Sequence, residues 1–397
     1  MKKWMVLALC AAALAGVTAC LPAVPRKDAF APEATSDRVW TAVPGQAEEK
    51  QAGGKKTQAV PGPVEALLDG MTLPQQAAQL FLTRVPADGV PFAQAPGGYI
   101  LFAGDFADKT AAEVQAMTAA LQQSARVPLL VAVDEEGGGV TRVSGFEALR
   151  PEGPFSSPQQ LYAQGGMEAV EADAAEKAAL LQSLGINVNM APVCDVSQDP
   201  ADFIYSRTFG ADAAATSMYV DRVVRAMERA KLGNVLKHFP GYGPSADTHT
   251  GSAYDGRPYE VFENQDFLPF AAGIDAGADC VLVSHNVMAC VDGDSPASLS
   301  LGVHNLLREK LGFAGVVMTD DLMMEAVAGR YTPGEAAVAA VLAGNDMLCT
   351  PSYEEGLAAV VEAVERGVVP ATRVRESAAR VLCWKLDLGL LAPSPEE

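Results

Sequence analysis

The sequence predicts an α/β protein organised as a single (β/α)8, TIM-like barrel, and two observations carry that expectation. Short apolar runs rich in β-branched residues recur eight times over about 330 residues, each followed by a longer amphipathic or Ala-rich stretch, as repeated βα units of a parallel sheet require. The structural rival, a doubly wound open sheet, would carry a Gly-x-Gly-x-x-Gly turn after its first strand, and none follows here. In order, the runs are Gln79–Leu82, Tyr99–Phe102, Leu129–Val133, Ile186–Met190, Asn234–Lys237, Cys280–Val283, Gly315–Thr319 and Asp346–Cys349. Between the fourth and fifth, Val220, Val223, Val224 and Met227 recur at spacings of three and four while Asp221, Arg222, Arg225 and Glu228 fall elsewhere, the pattern of a helix with one face on a sheet. No internal repeat is visible beyond this alternation.

The barrel is expected over residues 64–397, preceded by two segments of different character. Lys2 and Lys3 give the chain a positive start, and Met5 to Gly16 is an apolar stretch too short for a stable membrane anchor, so the opening reads as an export signal. The residues that follow, Val17-Thr18-Ala19-Cys20, resemble the bacterial lipobox, in which diacylglycerol is attached to the cysteine thiol and cleavage leaves that cysteine first. This reading implies a signal peptide over 1–19, a protein lipid-anchored through Cys20, and an extracytoplasmic place at the bacterial cell membrane. The plainer alternative is an ordinary secretory signal cut after Ala19. From residue 20 to 63 Pro, Ala, Gly, Lys and Glu dominate, a composition that cannot repay its ordering entropy, and we expect a flexible tether with a reach on the order of 35 Å.

Composition removes several functional classes. With 29 Lys plus Arg against 49 Asp plus Glu, the formal charge of −20 repels polyphosphate, and nucleic acid is not an expected partner. The seven cysteines include no CxxC pair, which removes a zinc ribbon and a dithiol redox centre, and their wide spacing does not suit a disulfide scaffold. The four histidines, His238, His249, His285 and His304, are scattered without a His-x-His pair, so no metal site is expected. Asp292-Gly-Asp294 lacks the following ligands and closing Glu of a calcium loop.

A barrel of this kind builds its active site at the C-terminal ends of the strands, so polar residues there carry most of the functional information. The third run opens into Asp134-Glu-Glu-Gly-Gly-Gly-Val-Thr-Arg142, the fifth into Lys237-His-Phe-Pro-Gly-Tyr-Gly243 and then Asp247-Thr-His249, and the seventh into Thr319-Asp-Asp321. Their convergence would surround one cavity with carboxylates, two histidines, Lys237 and Arg142. His285, ending the sixth run, is expected on the same rim; His304 has no motif around it and is expected to be structural. Asp321 reads as the cap of a helix starting at Leu322, whereas Asp320 stands directly at the strand end.

Taken together, Asp134-Glu-Glu-Gly-Gly with Val140 and Arg142, Ser206-Arg-Thr-Phe-Gly210, Lys237-His-Phe-Pro-Gly241, Asp247-Thr-His249 and Thr319-Asp-Asp-Leu322 resemble, in order, glycoside hydrolase family 3 and its single-domain β-N-acetylhexosaminidase branch. The resemblance covers residues from about 64 to 392 and implies a retaining exo-β-N-acetylglucosaminidase, without metal or organic cofactor, acting as a monomer on GlcNAc-containing oligosaccharides from peptidoglycan or chitin. It implies Asp320 as the nucleophile that forms a glycosyl-aspartate intermediate, and His249, held in one tautomer by Asp247, as the proton donor. Asp134, Arg142, Arg207, Lys237 and His238 match the family's sugar-contacting positions. Two departures stand out: the stretch from Lys237 to His249 is one residue short with Tyr242 where a second histidine is usual, and Gly139 replaces a commoner basic residue, which weakens the expected affinity for a muramyl carboxylate. The rivals within the family are a phosphorolytic variant, with which a histidine acid/base is compatible, and a β-glucosidase, whose acid comes from a second domain not expected after the barrel here. A non-catalytic glycan-binding lipoprotein is the rival from another class, and it has no need of a nucleophile such as Asp320.

Overall fold

Period-two alternation along short strands sorts the apolar residues of this chain into an inner and an outer core. The computed structural model describes residues 60–87, 89–244 and 253–392. Its strands are β1 (Phe81–Arg84), β2 (Gly98–Leu101), β3 (Leu130–Val133), β4 (Val188–Asn189), β5 (Gly233–Phe239), β6 (Tyr254–Asp255), β7 (Cys280–Val283), β8 (Val287–Met288), β9 (Val316–Thr319) and β10 (Leu348–Cys349). All but β6 and β8, which pair only with each other, form one parallel sheet in the order β10-β1-β2-β3-β4-β5-β7-β9. A bridge between Met318 and Met347 brings the two edges together, so the sheet closes into the eight-stranded barrel, and every expected run supplies a strand.

Ile100, Leu130, Ala132, Val188, Val235, Leu282, Val316 and Met318 meet inside the ring, while Tyr99, Leu101, Val131, Val133, Leu236, Val281 and Val317 face the surrounding helices. Burying each large aliphatic side chain contributes about 1.5–3 kcal/mol, so the alternation itself selects the register. The N-terminal mouth is filled from outside by the last helix, Ala371–Asp387, whose Val381 and Trp384 join the inner core. Gly233 at the foot of β5 makes room for that plug, since a Cβ there would lie 3.1 Å from the Trp384 ring.

Two buried charges sit on this side of the barrel. Asp346, just before β10, accepts from Arg308 at 2.5 Å, Arg380 at 3.1 Å, Arg373 at 3.2 Å, Ser377 at 2.9 Å and the Val317 amide at 3.0 Å. Burial opposes its charge, yet the three arginines hold its carboxyl below the usual range. Lys385, fully buried on the last helix, has among the described residues only the neutral Gln79 Oε1 as partner, at 2.7 Å, and desolvation pushes it down to about 7.

The outer helices start where capping chemistry allows. Thr110 with Glu113 and Thr332 with Glu335 form reciprocal capping boxes, and Asp212 accepts from the Ala215 amide at the head of the helix whose apolar face was expected at Val220–Met227. Two expectations shift. The helix Gly62–Asp69, with Pro63 in its first turn, begins within the stretch assigned to the tether. After β9 the helix is Glu325–Ala328, and residues 322–324 are a turn. No helix among the described residues is long and apolar enough to cross a membrane, and the export signal and Cys20 lie outside the described residues.

Lys385 links pH to stability. Its pKa is about 7 in the folded chain against an ordinary 10.5, so between those values the unfolded state binds more protons and this group's contribution makes stability rise with pH. Lys385→Met removes that rise. Melting temperatures of the two proteins at pH 6, 8 and 10 should show the variant's relative gain largest at pH 6 and shrinking towards pH 10; parallel curves would mean Lys385 is not titrating in this window.

Candidate active site

The C-terminal mouth is shaped first by main-chain restraints. Where β3 ends, Asn189 from β4 accepts from the Glu135 amide at 3.0 Å and donates to the Glu135 carbonyl at 3.1 Å. The fully buried Glu135 carboxylate in turn accepts from the Arg142 and Val143 amides at 2.9 and 2.7 Å and from the Ser144 hydroxyl, drawing the 134–144 loop into a closed turn. Gly137 sits at φ +100° with a hypothetical Cβ 2.3 Å from the Ser156 carbonyl, a place only glycine fits. Beneath it Lys177 donates to the Glu136 carbonyl at 2.9 Å and pairs with Asp173 at 2.6 Å.

On this base stands a buried network of alternating charge. Glu136 receives Lys237 Nζ at 2.6 Å and a side-on Arg207, with Nη2 at 2.7 Å and Nε at 3.0 Å. Lys237 also reaches Asp134 at 2.7 Å, and Arg207 Nη2 lies 3.2 Å from His238 Nε2. His238 Nδ1 stands 2.8 Å from Asp195 Oδ2, and the two Asp195 oxygens accept as well from the His238 amide at 3.1 Å and the Tyr242 amide at 2.8 Å. Burial opposes the charge on Glu136, but Lys237 and Arg207 together hold its carboxyl well below the usual range. The same balance keeps Lys237 above its ordinary value: desolvation pulls down, and the Asp134 and Glu136 carboxylates outweigh it.

Asp320 follows Thr319 directly at the end of β9; its amide donates to the Val283 carbonyl at 3.0 Å and its Oδ1 accepts from the Asp321 amide at 2.8 Å. Asp321 pairs with Arg84 at 3.1 Å, with the Arg84 guanidinium 4.4 Å from the Phe102 ring centre, and accepts from the Met323 amide at 2.9 Å. That is the local capping role expected of it, applied to the turn before the helix. The buried Cys349 thiol is raised well above its ordinary value first by burial, then by the Asp321, Asp320 and Asp134 carboxylates.

Of the residues singled out in the sequence, Asp134, Arg207, Lys237 and His238 therefore join in one network, and Asp320 opens on the same mouth. Arg142 is held there by its main chain, and its guanidinium has no ion pair among the described residues. Asp247 and His249 lie outside the described residues. His285 is corrected from rim to support: it is fully buried, Nδ1 lies 2.7 Å from Ser298 Oγ, and Nε2 lies 2.9 Å from the Asp321 carbonyl, where it braces the Asp320–Asp321 turn. His304 is buried with Nδ1 2.8 Å from the Ser300 carbonyl, as its structural reading required. The expected site lacked Glu135, Glu136, Asn189 and Asp195. Their signal was present as polar residues inside or just after apolar strands, places where a charge or amide has to be partnered. Among the described residues, no group of three or more His, Cys, Asp or Glu is placed to hold a metal ion.

Comparisons with known proteins agree with this fold. The family described as Glycosyl hydrolase family 3 N terminal domain matches residues 93–383. A β-hexosaminidase of Xanthomonas campestris is 36% identical over 244 residues, covering 59% of this chain and 73% of that protein. Among solved structures, a glycoside hydrolase family 3 β-N-acetylglucosaminidase from a Paenibacillus species superposes with a TM-score of 0.74 at 31% identity, over 82% of this chain and 65% of that one. A β-N-acetylhexosaminidase from Beutenbergia cavernae gives 0.68 at 31% identity, over 79% of this chain and 98% of that one.

The network makes a double-substitution test possible. Glu136→Gln leaves Arg207 without its carboxylate and Lys237 with Asp134 alone, and should cost about 3 kcal/mol in urea unfolding. Adding Lys237→Met should return part of that loss instead of adding to it, a coupling of about 1 kcal/mol or more. Strict additivity would show that the charges do not depend on one another.

Proposed function

Because the chain belongs to glycosyl hydrolase family 3, we propose that it removes terminal β-linked GlcNAc from short oligosaccharides derived from peptidoglycan or chitin, by a retaining mechanism. It is a glycoside hydrolase of the β-N-acetylhexosaminidase kind. The observation that carries the finer reading is the buried network of Asp134, Lys237, Glu136 and Arg207 at the mouth where Asp320 ends β9. After their mutual bonds, an oxygen of Asp134, a third N–H of Lys237 and the Nη1 group of Arg207 have no partner among the described residues and are offered to a ligand, and Arg142 adds a guanidinium. Donors and acceptors set side by side suit vicinal hydroxyls, each of which donates and accepts at once.

In the first step, an Asp320 oxygen bonds to the anomeric carbon as the glycosidic bond breaks, and His249, supported by Asp247, gives its proton to the departing oxygen. In the second, water gives a proton to His249 and bonds to the same carbon, releasing Asp320 and a sugar of unchanged anomeric configuration. The carboxylate also stabilises positive charge that builds on the ring before either bond is complete. Glu136 stands behind this chemistry and holds Lys237 and Arg207, which meet the sugar.

We further propose that the protein works outside the cytoplasm, anchored by a lipid on Cys20, on the strength of Lys2, Lys3, the apolar segment after them and Val17-Thr18-Ala19-Cys20. That location places it among external wall fragments.

Asp320→Asn should remain folded and lower the release of nitrophenol from 4-nitrophenyl N-acetyl-β-D-glucosaminide to below about a thousandth of the parent rate. Near-parental turnover would take the nucleophile's role from Asp320; preference for the glucoside analogue, or strong acceleration by phosphate, would overturn the assignment as a GlcNAc hydrolase. Cys20→Ser in the full chain should move the protein from the membrane fraction to the soluble one, and an unchanged distribution would remove the anchor.

A further inference from the structure

Within the network at the mouth, His238 is the member whose hydrogen-bonding character depends on where its proton sits. Arg207 Nη2 stands 3.2 Å from Nε2, and a guanidinium only donates, so Nε2 presents its lone pair. Asp195 Oδ2 stands 2.8 Å from Nδ1 and, ionised, only accepts, so Nδ1 carries the proton. Both neighbours require the same neutral tautomer. Around the ring stand Asp195 from the loop after β4, Arg207 from the turn Tyr205–Arg207, Glu136 behind Arg207, Lys237 next in the chain, and the Tyr242 ring at 5.1 Å between centroids.

We infer that Asp195 is a positioning residue of this glycosidase: it holds His238 as the Nδ1–H tautomer, which turns Nε2 into an acceptor for Arg207. Glu136 takes Arg207 through Nε and Nη2, and His238 takes the remaining N–H of Nη2. With one edge of the guanidinium held by three acceptors, Nη1 is the part left to meet a sugar hydroxyl. This rests on the reading of the mouth as the sugar site. A carboxylate is required at position 195 because all of its partners, the His238 amide, His238 Nδ1–H and the Tyr242 amide, are donors. An asparagine offers one oxygen. It must either turn its NH2 towards His238, which reverses the tautomer and aims Nε2–H at Arg207, or leave the Tyr242 amide without an acceptor.

The test uses the full chain labelled with 15N-histidine, whose four histidines make the spectrum tractable, with His238→Gln for assignment. At the pH of the nitrophenyl assay, the parent should show His238 protonated on Nδ1 and bare on Nε2. Asp195→Asn should lose that pattern and raise KM for 4-nitrophenyl N-acetyl-β-D-glucosaminide about tenfold with a smaller change in kcat, since Arg207 holds the sugar before and during reaction. A parent ring protonated on Nε2, alone or together with Nδ1, would overturn the inference, as would a KM that stays within about twofold in a folded Asp195→Asn variant. If that variant does not fold, the parent spectrum decides. The underlying site reading fails separately: Arg207→Ala with unchanged KM would remove the sugar site while leaving the tautomer result in place.

Discussion

A carboxylate that cannot be solvated has to be neutralised by its neighbours, and around Glu136 that requirement organises the mouth of the barrel. Its side chain is almost fully buried between Lys237 and Arg207, so each cation has a reason to point inward that does not depend on a ligand. Each is then shared outward, Lys237 with Asp134 and Arg207 with His238. The groups proposed to meet a sugar are thus second partners of residues already locked in place, so that binding there would cost little further ordering of side chains. A surface pair of the same composition would be worth about 0–1 kcal/mol and would fix nothing.

The two ends of the barrel solve the same electrostatic problem for different ends. On the N-terminal side, Asp346 gathers three arginines, two of which donate further to main-chain carbonyls, while Trp384 fills the mouth beside it. At the other end donors are left for a ligand: among the described residues Arg142 has no ionic partner and Nη1 of Arg207 has no hydrogen-bond partner. Parallel strands point every carboxyl end the same way, so this division of stability from chemistry follows from the topology.

The barrel was legible because its signal is repeated and each repeat buries apolar surface; a strand such as Val316–Thr319 is read from a few β-branched residues and the polar doublet that follows. Individual residues of the candidate site were legible where a motif put them at or near a strand end, as with Asp134, Lys237 and Asp320. The supports were harder to see, because a residue such as Asp195 or Asn189 acts through partners from other strands that only the closed sheet brings near. Asp195 meets His238 across 43 positions of sequence, and Asn189 meets Glu135 across 54. His285 illustrates the converse: its strand-end position suggested a place on the rim, yet both ring nitrogens are committed to Ser298 and the Asp321 carbonyl.

Residue type alone could not have assigned the acidic clusters, and their separation by environment is the clearest physical result. Asp134, Glu135 and Glu136 are adjacent in sequence, but Asp134 faces Lys237 at the open side, Glu135 accepts main-chain donors and shapes the loop, and Glu136 balances two buried cations. Asp320 and Asp321 divide in the same way, since Asp321 is committed to Arg84 and the Met323 amide and braced from behind by His285. Asp321 is tied down on several sides, and Asp320 stands at the strand end with its amide donating to the Val283 carbonyl and its Oδ1 accepting from the Asp321 amide. The doublet therefore works as one unit in which Asp321 fixes the turn and Asp320 is presented by it, an arrangement that supports the reactive role proposed for Asp320.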